Sequence, residues 1–451
     1  MYSSMDYLVV DMTHGGLLIA SELSKLPETH VYAWDIYGTL DESAMEEYSS
    51  NNLKFVDGES FKEAEELTVV SPVHCKLQRH VDMTHHDVVK FILNDKITVP
   101  IVEVTGVKGK TSVVWILKEI LNHKKPLVLS SLGVEVFDGT KWVKLKENIS
   151  ITPASIIEAW KLAENYEVGI CIFETSLGGT GLADVGVLTN IAENYSIAGN
   201  SSNASKAKSQ IFKSKVVACD QESFDSEYFE FKEKTNTFGI LNKSKILPNL
   251  TAKNIKYSFD KTDFDVQLSH FKTINSGIIE GTIKLSTFAP APIHINNVLA
   301  AVSASVMLGI SEEMIRTGLS QFKGLKGRTT IKELDGVRIV EEINPGLNVT
   351  AVEEAIKMMG EIDDVAVVFG GRYGVTCEEI DENSVSQVLN RINDETKLIL
   401  VDELGKNVND LLKRNSIYYN NLKDAVSHAL KTNSRNILVI YRSNYSDLEK
   451  R

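Results

Sequence analysis

The chain has 451 residues, 43% hydrophobic and 24% charged, a size and balance that predict a globular protein of about three domains rather than one core. No run reaches 18 uninterrupted apolar residues, and the N-terminus lacks a basic segment followed by an apolar one, so neither a membrane span nor a secretory signal is expected. The formal net charge of −13 argues against a general nucleic-acid binder and leaves any acidic substrate to local basic residues. Cys75, Cys171, Cys219 and Cys377 lie far apart without metal-type spacing and read as reduced thiols of a cytoplasmic protein.

In chain order, Tyr7 to Val10 predicts a strand, His14-Gly15-Gly16 a turn and Leu17 to Leu26 a helix. Further strands follow at Val31 to Trp34 and Leu67 to Val70, and Thr84 is placed to cap a helix from His85 to Leu93. Alternating strands and helices imply a parallel sheet, closed as a first domain near residue 96.

The second domain, 97–325, opens on the most informative segment of the chain. An apolar strand beginning at Ile101 runs into Gly106-Val107-Lys108-Gly109-Lys110-Thr111-Ser112, and a helical run starting at Val113 follows. Glycines let backbone N–H groups approach an anion, and the following helix offers its positive N-terminus. Lys110 can place a point charge on outer phosphates and Thr111 can offer a hydroxyl to Mg²⁺. The strict phosphate-loop pattern needs glycine at 104, where Val104 stands, so the loop is a shortened one.

The strand 168–173 delivers Glu174, a carboxylate at a strand's carboxyl end, where open parallel sheets bind ligands. With Thr111 it makes a metal pair of hard oxygen donors. A second strand ends in Thr189-Asn190-Ile191, and Lys206-Ala207-Lys208 follows after a polar stretch, 200–205, expected to be a surface loop. Alternation over 255–288 predicts antiparallel strands, and 298–308 an apolar helix. A third α/β domain, 326–451, starts near Gly327 and has strands expected at 337–340, 365–369, 398–401 and 437–440. Neither an internal repeat nor a long low-complexity tail is present.

The loop, Glu174, Thr189-Asn190-Ile191, Ala207-Lys208, Asn297 before Leu299-Ala300-Ala301, and Gly327-Arg328 occur in the order seen in Mur ligases, and the chain resembles that family over most of its length. The resemblance implies a three-domain α/β architecture, with a central P-loop ATPase domain between Rossmann-like N- and C-terminal domains. It implies a ligase that activates a carboxylate with ATP and Mg²⁺ as an acyl phosphate, which a nucleophile then attacks. Lys110 and the loop backbone would hold the phosphates, and Thr111 with Glu174 the Mg²⁺. Lys208 matches a lysine that is carbamylated in many members, Asn297 would touch the adenine, Arg328 would reach the nucleotide, and Glu342 falls where an aspartate often binds the ribose. Two departures stand out. Asn194 and Tyr195 replace the usual Asp-His, which puts a second metal in doubt, and Ile343-Asn344-Pro345-Gly346 departs from the cell-wall enzymes.

The N-terminal domain, which should choose the acid, holds six of the ten histidines. Asp11-Met12-Thr13-His14-Gly15-Gly16, Trp34-Asp35-Ile36-Tyr37-Gly38-Thr39 and Thr84-His85-His86 are similar to an archaeal branch of the family whose substrate is a nickel tetrapyrrole. That resemblance implies activation of a propionate on the macrocycle and closure of a carbocyclic ketone ring by a carbon of the same molecule; a monomer or homodimer is expected. His14 and His85 are candidates for contact with the nickel or a carboxylate, and Gly15-Gly16 for cradling a carboxylate. The alternative within the family is an amide ligase joining an amino acid to a nucleotide- or cofactor-linked acid, with Arg372 as a carboxylate partner. A regulatory ATPase would need no substrate domain, and a dinucleotide oxidoreductase would need Gly-x-Gly-x-x-Gly, which the opening motif does not match.

Overall fold

The β-branched runs form strands and the periodic segments between them form helices. The computed structural model describes residues 5–58, 67–241, 247–258, 260–325, 328–344, 347–359, 364–373 and 380–443. Gly327, Pro345, Gly346 and Cys377 lie outside the described residues. Two compact units divide the chain: Met1–Lys253 with Val266–Ile283 and Asn296–Gly318, and Asn254–Asp265 with Lys284–Ile295 and Leu319–Arg451. No helix among the described residues is long and apolar enough to cross a membrane.

In the first unit, a five-stranded sheet has the order Leu53–Phe55, Thr29–Trp34, Met5–Val10, Thr68–Ser71, Met83–Thr84, with all neighbours parallel. The helix His85–Leu93 begins at Thr84 with a capping box, in which the Thr84 hydroxyl accepts from the Asp87 N–H and the Asp87 carboxylate accepts from the Thr84 N–H. The helix after the first strand is shorter than its sequence suggests. Met12–Gly16 forms a separate irregular turn, with Gly15 at φ 99°, and only Leu17–Leu23 is regular helix.

The phosphate-loop strand, Ile101–Thr105, lies inside an eleven-stranded sheet between the parallel strands Ile170–Glu174 and Val185–Leu188. Parallel strands buried on both faces explain the near-continuous apolar runs here. One core runs beneath both sheets, taking in Val9, Val88 and Val89 with Ile101, Leu127 and Phe173. The stretch 200–205 is not all surface loop. Ser196–Ile197 and Ser202–Asn203 pair as a short antiparallel ribbon, and Asn203 caps the helix Ala204–Lys208, whose Ala204 and Ser205 are buried. The sequence read the polarity of these residues, but the cap and ribbon use it locally.

In the second unit, a six-stranded sheet has the order Thr329–Leu334, Val337–Ile343, Asn436–Arg442, Val365–Gly371, Lys397–Val401, Ile417–Tyr419. Only the first pair is antiparallel. The four expected strands are present. The edge strands Thr329–Leu334 and Ile417–Tyr419, shorter or more exposed, had no apolar run to announce them.

Candidate active site

Gly106 and Gly109 shape the loop by having no side chain. Gly106 has φ 140°, and a Cβ there would meet Thr189 Oγ1 at 2.0 Å; Gly109 has φ 87°, and a Cβ there would meet Asn297 Oδ1 at 2.2 Å. The helix Lys110–Ile120 therefore starts at a residue with no capping side chain, which leaves its first-turn N–H groups for an anion. Thr189 and Asn190 hold the loop from behind. The Thr189 hydroxyl and Asn190 Nδ2 both donate to the Lys108 carbonyl at 2.6 and 3.1 Å, and the Asn190 carbonyl accepts from the Val107 N–H at 2.9 Å. Lys110 Nζ curls back to donate to the Gly106 and Val107 carbonyls at 3.1 and 3.3 Å, centring its charge over the loop.

Thr111 Oγ1 donates to Glu174 Oε1 at 2.9 Å and lies 3.2 Å from Ser131 Oγ. The other oxygen, Glu174 Oε2, accepts from the Ser131 N–H at 3.1 Å. Glu174 is only 1% exposed, so it is a positioned carboxylate rather than a solvated strand end. A hydroxyl and a carboxylate already in contact are a donor set that fits a hard divalent cation. Ser131 was not singled out in the sequence, because a lone serine after a strand carries no signal.

Lys208 is also 1% exposed, and its Nζ donates to the Ser176 carbonyl just beyond Glu174. Burial, with a smaller contribution from the charge of Lys110, lowers its pKa to about 7. Asn194, at the first of the two atypical positions, holds Ser205 through the Ser205 N–H and hydroxyl at 2.9 and 3.0 Å, which anchors the helix that carries Lys208. Asn297 lies against Gly109 in the same unit. Arg328 and Glu342 belong to the second unit, where Glu342 accepts from the Thr329 hydroxyl and burial raises its pKa despite the attraction of Arg328.

The N-terminal histidines divide sharply. His14 is exposed at the end of the first strand, with Nδ1 2.8 Å from Asp11 Oδ2. His85, expected at the substrate, is instead buried, with Nε2 2.9 Å from the Val10 carbonyl and a pKa driven down to about 4 by desolvation. It faces the core because the helix His85–Leu93 turns that side onto the first strand, so it is removed from the substrate set. Gly15 and Gly16 are tight contacts rather than an open cradle. A Cβ on Gly15 would lie 2.6 Å from Ala154 Cβ, and one on Gly16 would lie 2.2 Å from the Asp11 carbonyl oxygen. The sequence missed His74, whose Nε2 lies 3.0 Å from Asp11 Oδ2 across 63 positions of chain.

A multi-domain α/β protein with this strand–loop–helix at its centre has the fold of a Mur ligase. The Mur ligase middle domain matches residues 104–305, and the C-terminal domain of coenzyme F430 synthetase CfbE matches 331–444. Coenzyme F(430) synthetase of Methanocaldococcus jannaschii is 30% identical over 88% of this chain and 91% of its own length. The synthetase of Methanosarcina acetivorans is 27% identical over 93% and 94%. A solved UDP-N-acetylmuramoyl-L-alanyl-D-glutamate–2,6-diaminopimelate ligase superposes with a TM-score of 0.63 over 97% of this chain and 89% of that one, at 13% identity, a likeness of fold. The chain belongs to the Mur ligase family, within its coenzyme F430 synthetase branch.

Proposed function

We propose that this protein uses ATP to activate a propionate of a nickel tetrapyrrole seco acid as an acyl phosphate, and then closes the carbocyclic ketone ring to give coenzyme F-430, ADP and phosphate. The observation that carries the reading is a phosphate loop with its Thr111–Glu174 donor pair in a chain similar over nearly its whole length to coenzyme F(430) synthetases. Three domains, 1–96, 97–325 and 326–451, belong to this proposal.

Lys110, the N–H groups of Gly106 to Ser112 and the helix N-terminus hold the phosphate chain and stabilise charge on the transferring phosphoryl group. Thr111 and Glu174 would hold Mg²⁺, which when bound screens the negative charge between the phosphates and the incoming carboxylate. Asn297 at the loop serves the nucleotide in the first unit, and the nucleotide roles that the resemblance implies for Arg328 and Glu342 belong to the second unit taken by itself. Lys208, partly neutral near pH 7, is chemically competent to take up CO₂, and its carbamate would be an anion beside the reacting acid. The carbon nucleophile is tethered to its electrophile, so orientation alone can supply up to ~7–11 kcal/mol of the barrier. The protein's part is then to form the acyl phosphate and keep water from it.

The test is phosphate release from Mg·ATP with and without the nickel seco acid, while the pigment spectrum is followed in the same cuvette. Stoichiometric phosphate with a shift to the ring-closed spectrum is expected. Phosphate release only with another acid and an amine would replace this reading by the amide-ligase one.

A further inference from the structure

Ring closure through carbon needs a group that the acyl-phosphate step does not: a base for the proton on the attacking carbon. The site around Asp11 is built to supply one. Asp11 ends the first strand at φ 72°, a left-handed conformation that a non-glycine residue holds only when its surroundings impose it. Its side chain is 0% exposed, yet both oxygens are satisfied. Oδ1 accepts the N–H groups of Thr13 and His14 at 3.1 and 3.2 Å, and Oδ2 faces His14 Nδ1 at 2.8 Å and His74 Nε2 at 3.0 Å. Burial alone would raise the carboxyl's pKa, but the hydrogen bonds from His74 and His14 outweigh it and take the pKa below its usual value, so Asp11 stays an anion.

That anion fixes the neighbouring imidazole. With a proton on Nδ1 donated to Asp11, neutral His14 must carry its lone pair on Nε2. The ring sits edge-on to His74 at 4.7 Å and to Tyr37 at 5.7 Å between centroids, which sets its orientation. Its side chain is 47% exposed, and among the described residues Nε2 makes no hydrogen bond. The other N-terminal histidines lack this combination. His85 and His86 are buried, His30 and His80 have partly exposed carboxylate partners, and His74 is the more covered of the two rings on Asp11.

The arrangement is also tied to the phosphate half of the molecule. Gly15, next to His14, stands against Thr152 and Ala154. The Ile151 carbonyl accepts from the Ser176 N–H at 3.1 Å, and the Ser176 carbonyl accepts from Lys208. A short chain of contacts thus joins His14 to the strand end where the acyl phosphate is expected.

We propose that His14 is the general base of ring closure, with Asp11 its positioning residue; the assignment rests on the ring-closing reading above. The C–H electron pair of the attacking carbon forms the bond to the acyl carbon. The C–O bond to phosphate breaks with its electrons, and inorganic phosphate leaves. The proton passes to His14 Nε2 and from its exposed edge to solvent. In Asp11→Asn, the amide oxygen would keep the backbone N–H groups and turn Nδ2 toward the ring. That favours the opposite tautomer, with the proton on Nε2 and no base.

The experiment supplies wild-type protein, His14→Gln, Asp11→Asn and the control His30→Gln with Mg·ATP, the nickel seco acid and hydroxylamine, which traps an acyl phosphate as a hydroxamate. The expected result for His14→Gln is ring closure slowed ~10²–10⁴-fold, the usual worth of a general base, with tetrapyrrole hydroxamate accumulating. Asp11→Asn should behave likewise, and His30→Gln like wild type. Deuterium on the attacking carbon should slow closure by wild-type protein, a reading that needs no variant to fold. His14→Gln closing the ring at the wild-type rate, or no isotope effect on closure measured from preformed acyl phosphate, overturns the assignment. So does one equivalent of a divalent metal held by purified wild-type protein and lost in His74→Ala, because it would occupy Nδ1 and Asp11. No ring-closed pigment and no tetrapyrrole hydroxamate from any form, wild type included, would instead refute the ring-closing reading, and the base with it.

Discussion

Lys208 offers a quantitative prediction because burial has altered its chemistry. An unperturbed lysine near pKa 10.5 is neutral in about 1 molecule in 3,000 at pH 7, whereas one with a pKa of about 7 is neutral in about half. Only the neutral amine adds CO₂, so the reactive population rises by roughly three orders of magnitude. Turnover should fall in buffer stripped of CO₂ and return with bicarbonate, and ¹³C-bicarbonate should give a carbamate signal that Lys208→Arg abolishes. Lys208→Arg should lose ~10²–10³ in kcat, the worth of one electrostatic contact at a reacting centre. The same burial predicts a stability effect in CO₂-free buffer. The unfolded chain holds this proton up to about pH 10.5 and the folded chain only to about 7, so stability falls as pH drops through that window. The penalty is fully present below pH 7, with a ceiling of about 5 kcal/mol. Lys208→Met should therefore raise the Tm at pH 7 and flatten its slope between pH 7 and 10. A Lys208→Met protein that melts below wild type with the slope intact, together with silence in the ¹³C spectrum, would refute the reasoning.

Gly109→Ala should fold but bind a non-hydrolysable ATP analogue at least ~10-fold more weakly, since left-handed φ costs an L-residue about 1–2 kcal/mol and the new Cβ would press on Asn297. Titration calorimetry giving the wild-type Kd would discard the loop assignment. Glu174→Gln should shift the Mg²⁺ dependence of ATP turnover to higher concentration and lower the maximal rate, because Thr111 and the Ser131 N–H lose a charged partner; an unchanged Mg²⁺ titration would remove Glu174 from the site. Glu103, buried in the strand Ile101–Thr105 and bonded by the Thr180 N–H and hydroxyl, has its pKa raised to about 7 by desolvation. The folded state then holds a proton that the unfolded state loses near 4.5, so stability should decline as pH rises from 4.5 through 7, by about 3 kcal/mol at most. Denaturant titrations of Glu103→Gln should lack that decline, and an identical pH profile would show that Glu103 is ionised throughout.

The sequence was most legible where chemistry and local backbone coincide. Gly106, Gly109, Lys110 and Thr111 lie in one short segment, and Glu174 is announced by the apolar strand before it, so strand–loop–helix and strand-end carboxylate could be read from spacing alone. What stayed hidden depends on separation along the chain. Nothing in Ser131 or His74 says that one meets Glu174 and the other Asp11 across 43 and 63 positions. His85 misled for a related reason. Thr84-His85-His86 reads as a polar cluster, but the Thr84 capping box fixes the helix so that both imidazoles turn inward, and desolvation then favours their neutral forms. Lys208 could be placed by resemblance, yet its lowered pKa comes from burial, which no spacing encodes.

The first unit also shows how specificity and chemistry are held in register. The substrate-side sheet is fastened to the loop-bearing sheet by polar contacts at the rim of a shared core. Gln210, two residues after Lys208, reaches Thr84 Oγ1 at 3.2 Å, His86 Nδ1 at 3.3 Å and the Leu177 carbonyl at 3.0 Å. Lys213 pairs with Asp87, and Lys161 with Glu22. The Lys213–Asp87 pair is partly exposed on both sides and adds little to stability, whereas Lys161 meets a buried Glu22 carboxylate. Gln210 differs from those two lysines, because it bonds groups on both sides of the junction. An amine-coupling ligase must admit a second, freely diffusing substrate. In the ring closure proposed here both reacting atoms arrive in one molecule, so the angle at which one end of that molecule is presented to the other contributes to the rate. A junction that fixes the His14 turn relative to the Glu174 strand end then contributes to orientation directly, where a separate amine pocket would contribute nothing.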